Sequence, residues 1–220
     1  MAVNRPALTH GPGPVVFLDK DGTVIEDVPY NVDPRRIRLA PGARQAIQLL
    51  GEAGATLVIV TNQSGVARGY FSEDDLRVVG RHLADLFAGL GARLDGFYFC
   101  PHVEPGQGVN GYARICDCRK PEPGLVTTAC RDLGLSLERA WFVGDTWMDV
   151  VAGRRAGCRT IMVGPETRTA DALDADRRPD FAVDNLLLAA ETILANDAPS
   201  ADGDGGPVRT NHLEPVEVAR

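Results

Sequence analysis

Val15–Val16–Phe17–Leu18 is a continuous apolar run that follows the breaker Gly11–Pro12–Gly13–Pro14. A short run without polar alternation predicts a strand buried on both faces, as in a parallel sheet. It stops abruptly at Asp19–Lys20–Asp21–Gly22–Thr23. Pro41–Gly42 then opens a helical spacing of Ala46, Ile47, Leu49 and Leu50, closed by Gly54. Leu57–Val58–Ile59–Val60 predicts a second buried strand, ending in Thr61–Asn62–Gln63–Ser64–Gly65. Ser72 followed by Glu73, Asp74 and Asp75 is a helix start, a serine cap with acids in the first turn. That helix is expected to run to about Leu90.

The alternation continues. Strands are predicted at 97–99, 141–143, 160–163 and 181–183, and helices at 123–133, 146–156 and 185–194. Strands alternating with helices imply right-handed crossovers, hence an α/β fold with a doubly wound, mainly parallel sheet. The stretch 101–119 is rich in glycine, proline and charge, and is long for a connection, which marks functional or unstructured loops. Residues 1–14 read as an N-terminal extension, 15–195 as the folded domain and 196–220 as a disordered tail of Asp, Gly, Pro and Ser.

Composition narrows the partners. Of 220 residues, 24% are charged and the net charge is −7, which argues against nucleic acid or an anionic membrane as the main partner. It leaves room for a phosphorylated substrate, because a local cluster of cations can override a distant negative balance. No apolar run approaches the roughly 20 residues of a membrane span, and the start lacks an apolar signal region, so a cytoplasmic protein, acting as a monomer, is expected. Five cysteines do not suggest a disulfide framework.

The candidate chemistry lies at the strand ends, where open α/β sheets bind ligands. The first strand delivers Asp19 and Asp21, the second Thr61 and the fourth Asp145, with Asp149 a helical turn later. Arg119–Lys120 opens the helix before the fourth strand. Cleaving a phosphate ester takes a nucleophile, a proton for the leaving oxygen and cations around the phosphoryl group. Asp19 can attack, and Asp21 can protonate the leaving group and later deprotonate water. Asp19 and Asp145 are hard oxygen ligands of the kind Mg²⁺ prefers, Lys120 is a fixed positive charge, and the Thr61 hydroxyl can donate to phosphate oxygens. Singly, each has an ordinary reading: D-x-D as a solvated turn, T-N-Q-S as a cap, Asp145 as a helix cap. Jointly, at one end of successive strands, they point to a site.

Cys100-x-His102 and Cys116-x-Cys118 bring three thiols and an imidazole into one loop, 100–118. This set suits tetrahedral Zn²⁺, and four protein ligands leave no open position for catalysis, so the metal would be structural. Cys130 and Cys158 read as ordinary apolar positions of a helix and near a strand.

These motifs, D-K-D-G-T, the strand ending in Thr61, Lys120 and G-D-x-x-x-D (144–149), resemble those of the haloacid dehalogenase (HAD) superfamily. C-P-H…C-D-C-R-K-P with T-N-Q-S-G-V-A-R-G is similar to its D-glycero-D-manno-heptose-1,7-bisphosphate phosphatases and the related histidinol-phosphate phosphatases. The resemblance implies a Rossmann-like fold without a large cap domain. It also implies an aspartyl-phosphate on Asp19, Asp21 as general acid/base, and Mg²⁺ held by Asp19, the Asp21 carbonyl and Asp145. Thr61 and Lys120 would steady the phosphoryl group. Asp27, Val28, Pro29, Tyr30, Asn62, Gln63, Ser64 and Arg119 would bind substrate, Arg119 reading a second phosphate. The expected activity is removal of the C7 phosphate from a heptose bisphosphate, serving nucleotide-activated heptose synthesis. The alternatives are a phosphatase for histidinol phosphate or another small sugar phosphate, and a non-catalytic zinc-ordered binding protein. Thr146 stands where the heptose enzymes often carry Lys.

Overall fold

A computed structural model describes residues 13–108, 111–165 and 174–197. Most of the expected terminal extensions therefore lie outside the described residues. Six strands form one parallel sheet: β1 (Val15–Leu18), β2 (Thr56–Asn62), β3 (Leu94–Cys100), β4 (Trp141–Gly144), β5 (Arg159–Val163) and β6 (Phe181–Val183). Their spatial order is β3-β2-β1-β4-β5-β6. The connections run through α1 (Ala43–Glu52), α2 (Glu73–Gly89), α3 (Gly124–Leu133) and α4 (Trp147–Ala156), and α5 (Leu186–Asp197) closes the described chain.

The unbroken apolar runs follow from burial on both faces. Val16 and Leu18 face one core with Leu57, Ile59, Trp141 and Ile161, under α1, α2 and α5. Phe17 faces the other with Val58, Val60 and Phe142, under α3 and α4. Side chains alternate across a strand, so each must be apolar when both sides are covered.

Helix starts follow local chemistry. Ser72 and Asp75 form a reciprocal capping box on α2, and Thr146 and Asp149 form one on α4. Gly157 ends α4 at φ 94°, a left-handed turn that glycine adopts at no steric cost.

Two boundaries depart from the sequence reading by three residues. β3 begins three residues earlier than 97, although Asp95 and Gly96 break its apolar pattern, because the Asp95 carboxylate accepts a hydrogen bond from the Leu57 amide at 2.9 Å. α5 runs to Asp197 rather than 194. Asn196 and Asp197 look like a turn, but Arg139 pairs with the Asp197 carboxylate at 3.1 Å and Arg159 donates to the Asn196 carbonyl at 3.3 Å. Among the described residues no helix is long and apolar enough to cross a membrane.

Candidate active site

β1 and β4 are adjacent, and their crossovers leave in opposite directions, so a crevice opens beyond their carboxyl ends. Asp19 stands there directly after β1, its amide donating to the Val143 carbonyl at 2.9 Å. Asp145 follows β4. Gly22, at φ +78°, lets the chain turn back against it; a Cβ there would lie 2.2 Å from Asp145 Oδ2.

Lys120 reaches the crevice from the loop before α3 and is 4% exposed. Its Nζ donates to Asp19 Oδ1 at 2.5 Å and to the Val60 carbonyl at 3.2 Å, and pairs with Asp149 Oδ1 at 2.6 Å. Asn62 fixes the backbone behind it: its amide nitrogen donates to the Lys120 carbonyl at 3.1 Å and its oxygen accepts from the Lys120 N–H at 3.0 Å. The sequence reading left Asp149 without a role. It is buried, and its Oδ2 accepts from the Thr146 amide and hydroxyl at 3.1 and 2.7 Å. Asp149 is thus engaged at both oxygens, as counter-ion to Lys120 and as cap of α4. Its spacing from Asp145 was visible in sequence; its partner, 29 residues upstream, was not.

Asp21 is held from two sides. Lys20, 2% exposed and absent from the sequence predictions, donates to Asp21 Oδ1 at 2.7 Å. Gln63 Nε2 donates to Asp21 Oδ2 at 2.9 Å and to Thr61 Oγ1 at 3.0 Å.

Electrostatics give the crevice its character. Burial, more than Lys120 can offset, raises the Asp19 pKa to about 7, and Asp149 adds to it. Burial likewise pushes Asp145 up to about 8, helped by Asp19 and Asp149. For Lys120, burial alone would favour the neutral amine, but Asp149 and Asp19 outweigh it and hold the pKa above the usual lysine range. Fully ionised, four carboxylates (Asp19, Asp21, Asp145, Asp149) would face two ammonium groups (Lys20, Lys120), an excess of two negative charges. One divalent cation would balance them. Asp19, Asp145 and Asp149 bring oxygens within 4.8 Å of one another, and Asp145 Oδ1 is buried without a hydrogen-bond partner. Asp149 pairs with Lys120 through one oxygen and caps α4 through the other, whereas Lys120 holds Asp19 through Oδ1 and Asp145 Oδ1 has no partner, so Asp19 and Asp145 have more to offer a metal, and all-oxygen donors fit Mg²⁺.

Two hollows flank this centre. One, of about 230 Å³, is bordered by Asp21, Asp27, Pro29, Tyr30, Gln63 and Ser64, and Asn62 also reaches it. Val28 of the predicted set does not line it. At its rim Tyr30 takes φ 56°, the one non-glycine residue with positive φ among those described, and meets the Tyr70 ring edge-on at 4.7 Å. Arg119 borders the other hollow, of about 400 Å³, with Arg114, Ile115, Lys120 and Trp147. The predicted substrate residues therefore fall in two separate hollows, one bordered by Asp21 and the other by Lys120.

The loop 100–118 gathers its predicted ligands. Cys118 Sγ lies 3.2 Å from Cys100 Sγ, 3.4 Å from Cys116 Sγ and 3.2 Å from His102 Nδ1. Cys100 Sγ lies 3.7 Å from Cys116 Sγ and 3.6 Å from His102 Nδ1. A tetrahedral ion with bonds of about 2.0–2.3 Å spaces its ligands about 3.5–3.8 Å apart, so the cluster fits a metal with little adjustment. Burial, with Arg114 nearby, lowers the His102 pKa and keeps the imidazole in its neutral, ligating form. Arg119 donates to the His102 carbonyl at 3.0 Å, so this cluster also fixes the segment that carries Lys120.

Known proteins resemble this chain in sequence and in fold. A family model described as HAD-hydrolase-like matches residues 117–189. The D-glycero-beta-D-manno-heptose-1,7-bisphosphate 7-phosphatase of Pasteurella multocida is 40% identical over 172 residues, covering 78% of this chain and 91% of that one. The D-glycero-D-manno-heptose-1,7-bisphosphate 7-phosphatase of Thermosynechococcus vestitus is 36% identical, covering 86% and 99%. The crystal structure of the D,D-heptose 1,7-bisphosphate phosphatase of B. bronchiseptica, complexed with magnesium and phosphate, superposes with a TM-score of 0.69 at 33% identity, over 83% of this chain and 98% of that one. With likeness of this extent in sequence and in fold, the chain belongs to the D-glycero-D-manno-heptose-1,7-bisphosphate 7-phosphatase family of HAD-like hydrolases.

Proposed function

We propose that the chain removes the C7 phosphate of D-glycero-D-manno-heptose 1,7-bisphosphate through an aspartyl-phosphate on Asp19. The observation that carries this reading is the Asp19 carboxylate fixed by Lys120 at the β1/β4 crevice, beside an excess of two negative charges that one divalent cation would balance. Asp19 attacks phosphorus, an Asp19 O–P bond forms, and the P–O bond to the sugar breaks. Asp21 gives the departing sugar oxygen its proton. Asp21 then takes a proton from the water that displaces Asp19 from phosphorus, releasing inorganic phosphate. Lys120 orients Asp19 and offsets the charge that collects between phosphate and carboxylates, and the Thr61 hydroxyl donates to a phosphoryl oxygen. Mg²⁺, held by Asp19, Asp145 and the Asp21 carbonyl, would supply Lewis-acid charge at the phosphoryl group.

Zn²⁺ on Cys100, His102, Cys116 and Cys118 would order the loop from which Arg119 and Lys120 project. Arg119 meets the second phosphate from one hollow, while Asp27, Tyr30 and Ser64 border the sugar in the other. The working unit is a cytoplasmic monomer built on 15–195.

The test is phosphate release from a panel holding heptose 1,7-bisphosphate, the corresponding 1-phosphate and 7-phosphate, and histidinol phosphate, with and without Mg²⁺. The expected result is Mg²⁺-dependent release from the bisphosphate, leaving the 1-phosphate. A higher kcat/KM on histidinol phosphate would overturn the substrate assignment and leave the mechanism standing.

A further inference from the structure

Gln63 sits in the stretch expected to touch the sugar, yet its amide nitrogen is spent inside the protein. The side chain is buried, and Nε2 lies 2.9 Å from Asp21 Oδ2 and 3.0 Å from Thr61 Oγ1. An ionised carboxylate only accepts hydrogen bonds, so the amide must face it with N–H, which fixes the orientation of the group. The two N–H bonds of that nitrogen are then both used. Thr61 Oγ1, as acceptor of one of them, keeps its own proton free for another oxygen. The structure shows no acceptor for that proton among the described residues, and Thr61 is buried at the last position but one of β2, at the carboxyl end of the sheet.

We infer that Gln63 is a positioning residue: one amide holds the Asp21 carboxylate and turns the Thr61 hydroxyl into a donor toward the phosphoryl group, and it does not read the sugar. This rests on Asp21 and Thr61 acting as proposed above. Lys20 holds the other Asp21 oxygen at 2.7 Å, so losing Gln63 leaves the carboxylate tethered at one end only, free to rotate. A misplacement of about 1 Å at a catalytic group costs about 100-fold in rate.

The test uses the full-length protein with Mg²⁺, on heptose 1,7-bisphosphate and on glycerol 2-phosphate, an alkyl phosphate with no sugar ring. Gln63→Leu should lower kcat by about 10- to 100-fold on both substrates with KM nearly unchanged. Thr61→Val measures the second arm. If one hydrogen bond couples them, the double variant loses far less than the product of the two single losses. Gln63→Met, a second apolar replacement of similar length, should behave like Gln63→Leu, and melting curves identify any variant that has not folded.

A rise in KM confined to the heptose substrate would overturn the inference, since that is how a sugar contact behaves. So would losses that simply multiply. Asp21→Asn, measured alongside, separates the two layers. Full turnover in Asp21→Asn would sink the acid/base reading itself. Strong loss in Asp21→Asn with none in Gln63→Leu would sink only the role given to Gln63.

Discussion

The crevice at β1 and β4 and the loop after β3 both gather metal-binding groups, but the chain builds them in opposite ways. In the crevice the sheet does the positioning. Asp19, Thr61 and Asp145 leave three strands whose register is fixed by two apolar cores, and Lys120 already offsets part of their charge. The loop has little apolar content of its own: its four ligand side chains meet one another, and Cys100, Cys116 and Cys118 join the core that Phe17 and Val58 share. A cation in the crevice therefore adjusts charge on a scaffold that exists without it. A metal in the loop would take the place of a hydrophobic core and hold the backbone itself.

That contrast can be broken most sharply at Asp19. Asp19→Asn should abolish turnover, a loss on the order of 10⁴-fold or more as for other removed nucleophiles. Its melting temperature should hold or rise, because a buried carboxylate with a raised pKa is replaced by a neutral amide. A measurable burst of phosphate release would count against attack by Asp19.

The loop should answer in the other direction. Cys118→Ser, or extraction with a zinc-selective chelator, should expose residues 101–118 to proteolysis and lower stability by a few kcal/mol. Activity should fall with it, because Arg119 and Lys120 lose their anchor. Protease mapping and metal analysis check this together. An unchanged cleavage pattern after complete metal loss would show that the loop holds itself.

The smallest effect distinguishes the two metals by pH. Asp19 and Asp145 have folded-state pKa values raised to about 7 and about 8. Unfolded aspartates titrate near about 3.9, so the folded state binds these protons more tightly. The stability this gives is fully present below pH of about 4 and is lost as pH rises through 7 to 8. With divalent cations chelated by a reagent that spares the loop, the melting temperature should decline by a few degrees between about pH 6 and pH 9. Added Mg²⁺ should restore it, by more at the higher pH, since it stabilises the ionised carboxylates. Equal Mg²⁺ effects across that range would speak against these aspartates as its ligands.

Much was legible before any coordinates. The buried strands declare themselves because both-face burial forbids polar residues in the run, as in Val15–Leu18 and Trp141–Gly144. Asp19, Thr61 and Asp145 follow because open parallel sheets place ligands at the carboxyl ends of strands. The four metal-loop residues follow because thiol and imidazole pairs at short spacing have few other uses in a charged loop. What stayed hidden depends on pairs far apart in the chain. Lys120 joins Asp19 across 101 positions, Asn62 clamps Lys120 across 58, and Gln63 meets Asp21 across 42.

The sequence by itself determined the strand–helix alternation, the thiols that gather in one loop, and the end of the sheet where the acids gather. Those are local properties of apolar period, turn residues and donor type. Only the tertiary structure decided that Asp149 serves as counter-ion to Lys120, that Lys20 turns inward onto Asp21, and that the Asn62 and Gln63 amides are committed inside the protein. The reason is physical. A polar side chain's role depends on which partner the sheet register brings within about 3 Å, and no local spacing encodes that distance.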